Sequence, residues 1–377
     1  MIKILHLADV HLNESNNCQD TINCLNQTIK WAQEYEAAFI LIAGNLFDRV
    51  KPTPQEYLIA ESFLYELSSQ STIILISGDK MHEQPISPEG TSAIDPLKLV
   101  YRQLFHPHIS SRAKVITGEV FANFYLLPTP YRSILLADEN TKDLSSEEIN
   151  ALLTQKLKEI IWGFKTEFDK ERFNILVAHG SVLGMSYSEE MDVGLSDIFI
   201  DPNDLDGFDY VAMGHLHVGQ KVRDNAYYSG SLNRINFSEE NLNPHALLVE
   251  LEKGNIPKVT ELYTKATKYK TFTIDEVLET ENNDLDPETH YRVKGEVREE
   301  DLPTYKAKIN ALSVPIKSAI TVLSSDHVRS GALTHDLGME ASLLEYISLN
   351  PDLFDLKSDL INKAQELEKE LTLNNEN

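Results

Sequence analysis

The sequence predicts an α/β protein in which a sheet domain is followed by a small α+β unit and a helical tail. Three observations carry that expectation. Short apolar runs rich in branched residues alternate with helical periodicity over the first two-thirds of the chain. Each strong run ends on acids, amides or histidines, and the composition changes near Lys265–Lys270. Alternating strands and helices build a parallel sheet, and such sheets bind ligands beyond the carboxyl ends of their strands.

The first strand is Met1-Ile2-Lys3-Ile4-Leu5-His6-Leu7-Ala8, and it runs directly into Asp9 and His11. An apolar run of that length reads as buried. The one-residue spacing lets Asp9 and His11 reach the same side, where a carboxylate oxygen and an imidazole nitrogen suit a divalent transition metal. Ile22, Leu25, Ile29 and Ala32 then recur at helical spacing. The second strand, 39–43, exits at Gly44-Asn45-Leu46-Phe47-Asp48, and Pro52 and Pro54 introduce a helix over 55–67. The third, 72–76, exits at Ser77-Gly78-Asp79-Lys80.

After a stretch broken by Pro85, Pro88, Gly90 and Pro96, strands are predicted at 114–116 and 124–127 and a helix over 145–168. The strand 173–178 exits at His179-Gly180, and 209–213 exits at Gly214-His215-Leu216-His217. Tyr227–Gly230 and 246–251 read as closing antiparallel strands. Strands at 270–274, 291–297 and 319–323 with a helix over 302–312 make the α+β unit. In the tail, Leu356, Leu360, Ala364, Leu367 and Leu371 form an apolar stripe amid Glu and Lys, the pattern of a helix that docks on a partner. The expected divisions are 1–265, 266–330 and 331–377.

Composition sets the outer limits. The chain has 377 residues, enough for two domains and a tail, and its net charge is −25. That charge argues against gripping nucleic acid by bulk electrostatics, so any unaided DNA binding is expected to be weak. Two cysteines, Cys18 and Cys24, provide no disulfide framework. No apolar run approaches membrane-spanning length and the first residues lack signal-peptide order, so the expected location is the cytoplasm.

Every strong strand exit carries potential metal ligands: Asp9 and His11, Asn45 and Asp48, Asp79, His179, His215 and His217. Donors of these types on separate loops suit manganese, iron or zinc better than magnesium. Two such ions would clamp both sides of an in-line displacement at phosphorus. Arg49, Lys51, Arg132 and Arg234, in loops beside these motifs, read as solvated charges or as phosphate contacts to DNA.

The ordered set D-x-H, G-[DN]-L-F-D, a G-N-H-D-like site, A-H-G and G-H-x-H resembles the calcineurin-like metallophosphoesterases. Ile4-Leu5-His6, Leu46-Phe47-Asp48, Leu127-Pro128 and Tyr228-Ser229-Gly230-Ser231-Leu232-Asn233-Arg234 are similar to the SbcD-type nucleases among them. The resemblance implies a four-layered metallophosphoesterase sandwich with a small capping domain and a C-terminal helical partner-binding tail. It implies a subunit that hydrolyses DNA phosphodiesters at double-strand ends with two manganese-type ions, working as a homodimer with an SbcC-type coiled-coil ATPase. The Leu356, Leu360, Leu367 and Leu371 stripe would be the docking surface.

Carried over by position, Asp9, His11 and His217 would hold one ion and Asp79, His179 and His215 the other, with Asn45 at the bridge. Two departures follow. The bridging residue is normally an aspartate, and the third motif normally reads Gly-Asn-His-Asp, whereas here the acid and the amide have traded places. A neutral amide bridges two cations poorly, so Asp79 could bridge instead. The histidine that assists the leaving group is matched by Lys80, cationic at neutral pH unless its pKa is lowered. His82-Glu83 could fill the same slots if the loop is bulged. These departures keep a second expectation open, a nuclease-attenuated subunit that binds DNA ends and regulates the ATPase. A small-molecule or phosphoprotein phosphatase is a third, weakened by the cap and tail.

Overall fold

The structure, a computed structural model, describes residues 1–16, 18–79, 81–83, 92–97, 108–117, 121–130, 135–136, 144–186 and 198–323, together with Lys357, Ile361 and Lys363. Lys80, Arg132, Leu356, Leu360, Leu367 and Leu371 lie outside the described residues. The chain divides into two compact units. The first comprises Met1–Lys270 with Glu288–His290, and the second Thr271–Pro287 with Tyr291–Asn377.

In the first unit the elements follow in chain order as β1 (Ile2–Leu7), α1 (Cys18–Glu34), β2 (Phe39–Ala43), α2 (Pro54–Ser68), β3 (Thr72–Ile76), β4 (His108–Ser110), β5 (Lys114–Thr117), β6 (Ala122–Leu127) and α3 (Ser146–Thr166). They continue as β7 (Phe173–His179), β8 (Ser181–Val182), β9 (Phe199–Ile200), β10 (Tyr210–Gly214), β11 (Gln220–Arg223), β12 (Ala226–Tyr228), β13 (His245–Leu251) and β14 (Lys258–Tyr263). Two six-stranded sheets result, in the orders β14-β13-β1-β2-β3-β4 and β11-β12-β10-β7-β6-β5.

The two-residue period of the strands explains the layering. Along β1 and β2, Leu5, Leu7, Ile40 and Ile42 face the α1/α2 side, where they pack with Cys24, Leu25, Leu64 and Leu67. Their alternates Ile4, Ala8, Phe39, Leu41 and Ala43 face the other sheet and meet Phe124, Leu126, Ile175, Val177 and Ala212. The outer face of that second sheet, through Tyr125, Leu176, Val211 and Met213, receives Leu157, Ile161 and Phe164 of α3. Helix, sheet, sheet and helix make four layers, and a strand buried on both faces must read as an unbroken apolar run. Helix starts are fixed locally: Thr53 and Ser145 close reciprocal capping boxes with Glu56 and Glu148, and Pro54 occupies the first turn.

Two expected strands are corrected, and β4, β8, β9, β11 and β14 lie where the sequence predicted none. The strand expected at Tyr227–Gly230 is Ala226–Tyr228. It runs parallel to β10 and antiparallel only to β11, because the chain turns at Asp224-Asn225 and re-enters beside β10. The strand β14 was not expected; it is an edge strand whose side chains are largely exposed, so it lacks a buried run. The strand expected at 270–274 is β15 (Lys268–Phe272), because Thr273 caps a short helix, α4 (Ile274–Glu279).

The second unit adds β16 (Thr289–Arg298), α5 (Leu302–Ala311) and β17 (Ile316–Leu323), with β15, β16 and β17 side by side in one sheet. Its core holds Phe272, Val277, Leu285, Tyr291, Val293 and Ile309. Phe272 and Tyr291 stack with centroids 5.3 Å apart.

Candidate metal centre

The exits of β1, β2, β3, β7 and β10 converge. Backbone bonds knit the first two loops together: Asp9 N–H donates to Gly44 O at 3.1 Å, His11 N–H to Asn45 O at 3.0 Å, and Asp48 N–H to Leu12 O at 3.2 Å. Gly44 is needed as glycine. Its φ is +89°, and a Cβ there would lie 2.2 Å from His179 Nδ1. Asp9, His11, Asn45 and His215 adopt positive φ of 51°, 48°, 51° and 107°. Left-handed backbone is uncommon outside glycine, and its clustering at one spot marks a functional constraint.

Three groups of three form among the described residues, each with ligand atoms within 4.8 Å of one another: Asp9, His11 and His217 make the first cluster, Asp79, His179 and His215 the second, and His11, Asp48 and His82 a third that shares His11 with the first. In the first, His11 Nε2 and His217 Nε2 lie 3.1 Å apart. Their outer nitrogens are held away from the centre, His11 Nδ1 by Asp48 Oδ1 at 3.1 Å and His217 Nδ1 by Glu239 Oε1 at 2.5 Å. Carboxylates behind imidazoles fix the tautomer that presents Nε2 to a metal. In the second cluster, His179 Nδ1 donates to Ala43 O at 2.7 Å, while its buried Nε2 has no hydrogen-bond partner. A buried lone pair left over in this way fits a cation.

The electrostatics agree. Burial pushes the Asp9 carboxyl up to about 6, against the pull of His217 and the His215 N–H. Burial likewise holds His11 at about 4 and His179 at about 3, so both imidazoles are neutral donors of a lone pair. For His217 burial is overcome by the Glu239 hydrogen bond and charge and by Asp9 and Asp79, which carry it up to about 9. Binding a cation between His11 and His217 would replace that proton. Burial alone would raise Asp79, yet His82 and His179, with bonds from Asn45 and Met81 N–H, hold it well below the usual carboxylate range.

Asn45 sits between the clusters. Its Nδ2 donates to Asp9 Oδ1 and to Asp79 Oδ2, both at 3.2 Å, and its Oδ1 accepts from Asp79 N–H at 2.9 Å. His82 also reaches the centre. Met81 N–H bonds Asp79 Oδ1, and Glu83 N–H bonds Asp79 O, coiling the chain after Asp79 into a turn. The His82 ring lies 4.4 Å from that of His11, with Nδ1 2.9 Å from Asp48 O and Nε2 4.0 Å from Asp79 Oδ2. Glu83 is fully buried and accepts from Phe47 N–H at 3.0 Å and Gly78 N–H at 2.6 Å, tying the β2 and β3 exits together.

The loop arginines are engaged differently. Arg234 gives Nε and Nη2 to Leu242 O and Nη1 to Thr267 O, so its guanidinium braces backbone. Arg49 meets Asn13 Oδ1 at 2.5 Å and Glu56 Oε1 at 3.1 Å, and Lys51 is exposed. The residue with no signal in the sequence was Glu239, which reaches His217 from a 3-10 turn 22 positions along the chain.

A four-layered sandwich whose strand exits present two carboxylate–histidine clusters has the donor set of a dinuclear metal centre. The pattern of the calcineurin-like phosphoesterases matches residues 2–219, and the chain belongs to that family. Solved structures similar to it include a dimetal phosphatase from Danio rerio, 9% identical over 70% of this chain and 96% of its own, with a TM-score of 0.40. Others are GAP50, described as the anchor in the inner membrane complex of Plasmodium (14%, 70% and 89%, 0.39), and the phosphoesterase YfcE from E. coli (13%, 69% and 100%, 0.28). Among the described residues, no helix is long and apolar enough to cross a membrane.

Proposed function

We propose that this phosphoesterase is an SbcD-like nuclease subunit that hydrolyses DNA phosphodiesters at double-strand ends, with an SbcC-type ATPase as partner and a second copy of itself. The observation that carries hydrolysis is the set of two ligand clusters with His82 beside them. The step to DNA rests on the ordered motifs through Arg234. Bound ions would supply Lewis-acid activation of the ester and a lowered pKa for an attacking water. Manganese is the metal proposed first, since imidazole and carboxylate together suit it.

The chain's own residues do the rest. Asp48 accepts from His11 Nδ1 and lies 3.4 Å from His82 Nδ1, so one carboxylate orients a metal ligand and the proposed acid. With Nδ1 held at Asp48 O, His82 turns Nε2 toward Asp79, where it can give a proton to the departing oxygen. Lys80, the other candidate for that role, belongs to the same proposal.

A second reading, an end-binding subunit with attenuated hydrolysis, is favoured by one observation: the amide of Asn45 between the clusters. The deciding experiment is manganese-dependent nucleotide release from an end-labelled linear duplex, with and without the ATPase partner. His82→Ala is expected to lower the rate about 10²–10⁴-fold, the usual worth of a general acid. Release insensitive to both manganese and His82→Ala would refute the proposed mechanism. No release from the metal-loaded protein with its partner would leave the end-binding reading.

A further inference from the structure

We infer that Asn45 is not a ligand to either ion but a hydrogen-bonding tie between two self-contained sites, each with its own carboxylate. This deepens the metallophosphoesterase reading and rests on it. Asp79 N–H can only donate, so the Asn45 atom 2.9 Å from it is the carbonyl oxygen. The amide nitrogen must then point the other way, and it does, with 3.2 Å to a carboxylate oxygen of each cluster. Both amide protons are spent on acceptors, an amide nitrogen has no lone pair to offer a cation, and the carbonyl oxygen, whose second lone pair is not used by the Asp79 N–H, is turned toward the Gly78 backbone and away from the two carboxylates.

Turning the amide over would set NH₂ against the Asp79 N–H and break all three bonds. The space around it is also filled: a Cβ on Gly78 would fall 1.8 Å from Asn45 Oδ1. The left-handed backbone at Asn45 (φ 51°) suits asparagine.

With Asn45 removed from the ligand set, the charges divide evenly. Asp9 serves His11 and His217, and Asp79 serves His179 and His215. Each site is then a two-histidine, one-carboxylate set with the same formal charge, able to fill without its neighbour. A shared carboxylate would instead make each ion depend on the other's site.

The test uses the full chain, stripped with EDTA and desalted, titrated with manganese chloride by calorimetry. Electron paramagnetic resonance of free Mn²⁺ would check the stoichiometry. Wild type is expected to bind two ions and Asp79→Ala one. Asn45→Ala is expected to keep two, each with affinity within about 10-fold of wild type, the lower end of what an outer partner contributes. Asn45→Ser, which leaves a smaller polar group, guards against a folding defect in the alanine variant. Loss of one or both ions from folded Asn45→Ala or Asn45→Ser would overturn the inference, as would a wild type that binds a single ion. Stoichiometry is read without substrate, so failure of the hydrolase reading would appear only in turnover.

Discussion

Glu83 offers a severe test of how the centre is built. The residue is fully buried, and its two oxygens accept from Phe47 N–H and Gly78 N–H on neighbouring strand exits. Glu83→Ala would leave both backbone donors buried without these acceptors. Each such orphan costs about 1–3 kcal/mol, so the sum is about 4 kcal/mol. A domain of this size loses about 2–4 °C of Tm per kcal/mol, which places the melt of the metal-free variant about 8–16 °C below wild type. Glu83→Gln retains one acceptor oxygen and should fall about halfway. Thermal melts in EDTA, followed by circular dichroism, would measure both. A Glu83→Ala melt within about 3 °C of wild type would refute the reasoning, because it would mean that the two strand exits hold their positions without the carboxylate. His82, one residue earlier, is expected to lose its place in parallel, so hydrolysis should fall in the alanine variant even at temperatures where it is folded.

Three other outcomes are expected. Glu239→Gln should weaken manganese binding at the Asp9 cluster about 10–100-fold by loosening His217, with the Asp79 cluster unaffected in the same calorimetric titration. Gly78→Ala, whose Cβ would fall 2.4 Å from the Asn45 backbone nitrogen, should force the β2 and β3 exits apart and lower the melt or prevent folding, and a variant with a wild-type melt would contradict the packing. His6 is buried between the sheets with Nδ1 2.9 Å from Tyr210 Oη, and burial, helped by His245, lowers it to about 3. The unfolded chain therefore takes up a proton below about pH 6.5 that the fold refuses until about pH 3. Stability from this residue is complete above pH 6.5 and falls by about 1.4 kcal/mol per unit as pH drops through that window. Between pH 7 and 5 the loss is about 2 kcal/mol; His6→Gln should remove that share of the urea-midpoint shift, and an unchanged shift would count against it.

Much of this was legible because burial on both faces leaves no room for ambiguity in a strand. Ile40, Leu41 and Ile42 have no solvent side, so β2 announces itself, and the polar residues after it can only be at its exit. Asp9, His11, His179, His215 and His217 were readable for that reason. The His82 position was harder. A motif read residue by residue assumes a fixed step after Asp79, but the turn closed by Glu83 N–H on Asp79 O carries the chain two residues further before a histidine faces the centre. Glu239 was not readable at all, since a side chain that reaches a ligand from an irregular turn leaves no periodicity. The edge strand β14 failed for a related reason: its alternation is between solvent and a thin apolar margin.

The left-handed backbone at Asp9, His11 and Asn45 sets the vocabulary for anyone who would retune this protein's metal preference. Those sites accept asparagine, aspartate, histidine or glycine with little penalty, whereas bulky or β-branched side chains meet a conformational toll of about 1–2 kcal/mol before any coordination chemistry begins. Selection for new ions at these positions therefore works with a short alphabet. Wider freedom lies one step outward, at Glu239 and Asp48, where ordinary backbone allows the field around each imidazole to be rewritten without disturbing the loops that carry it.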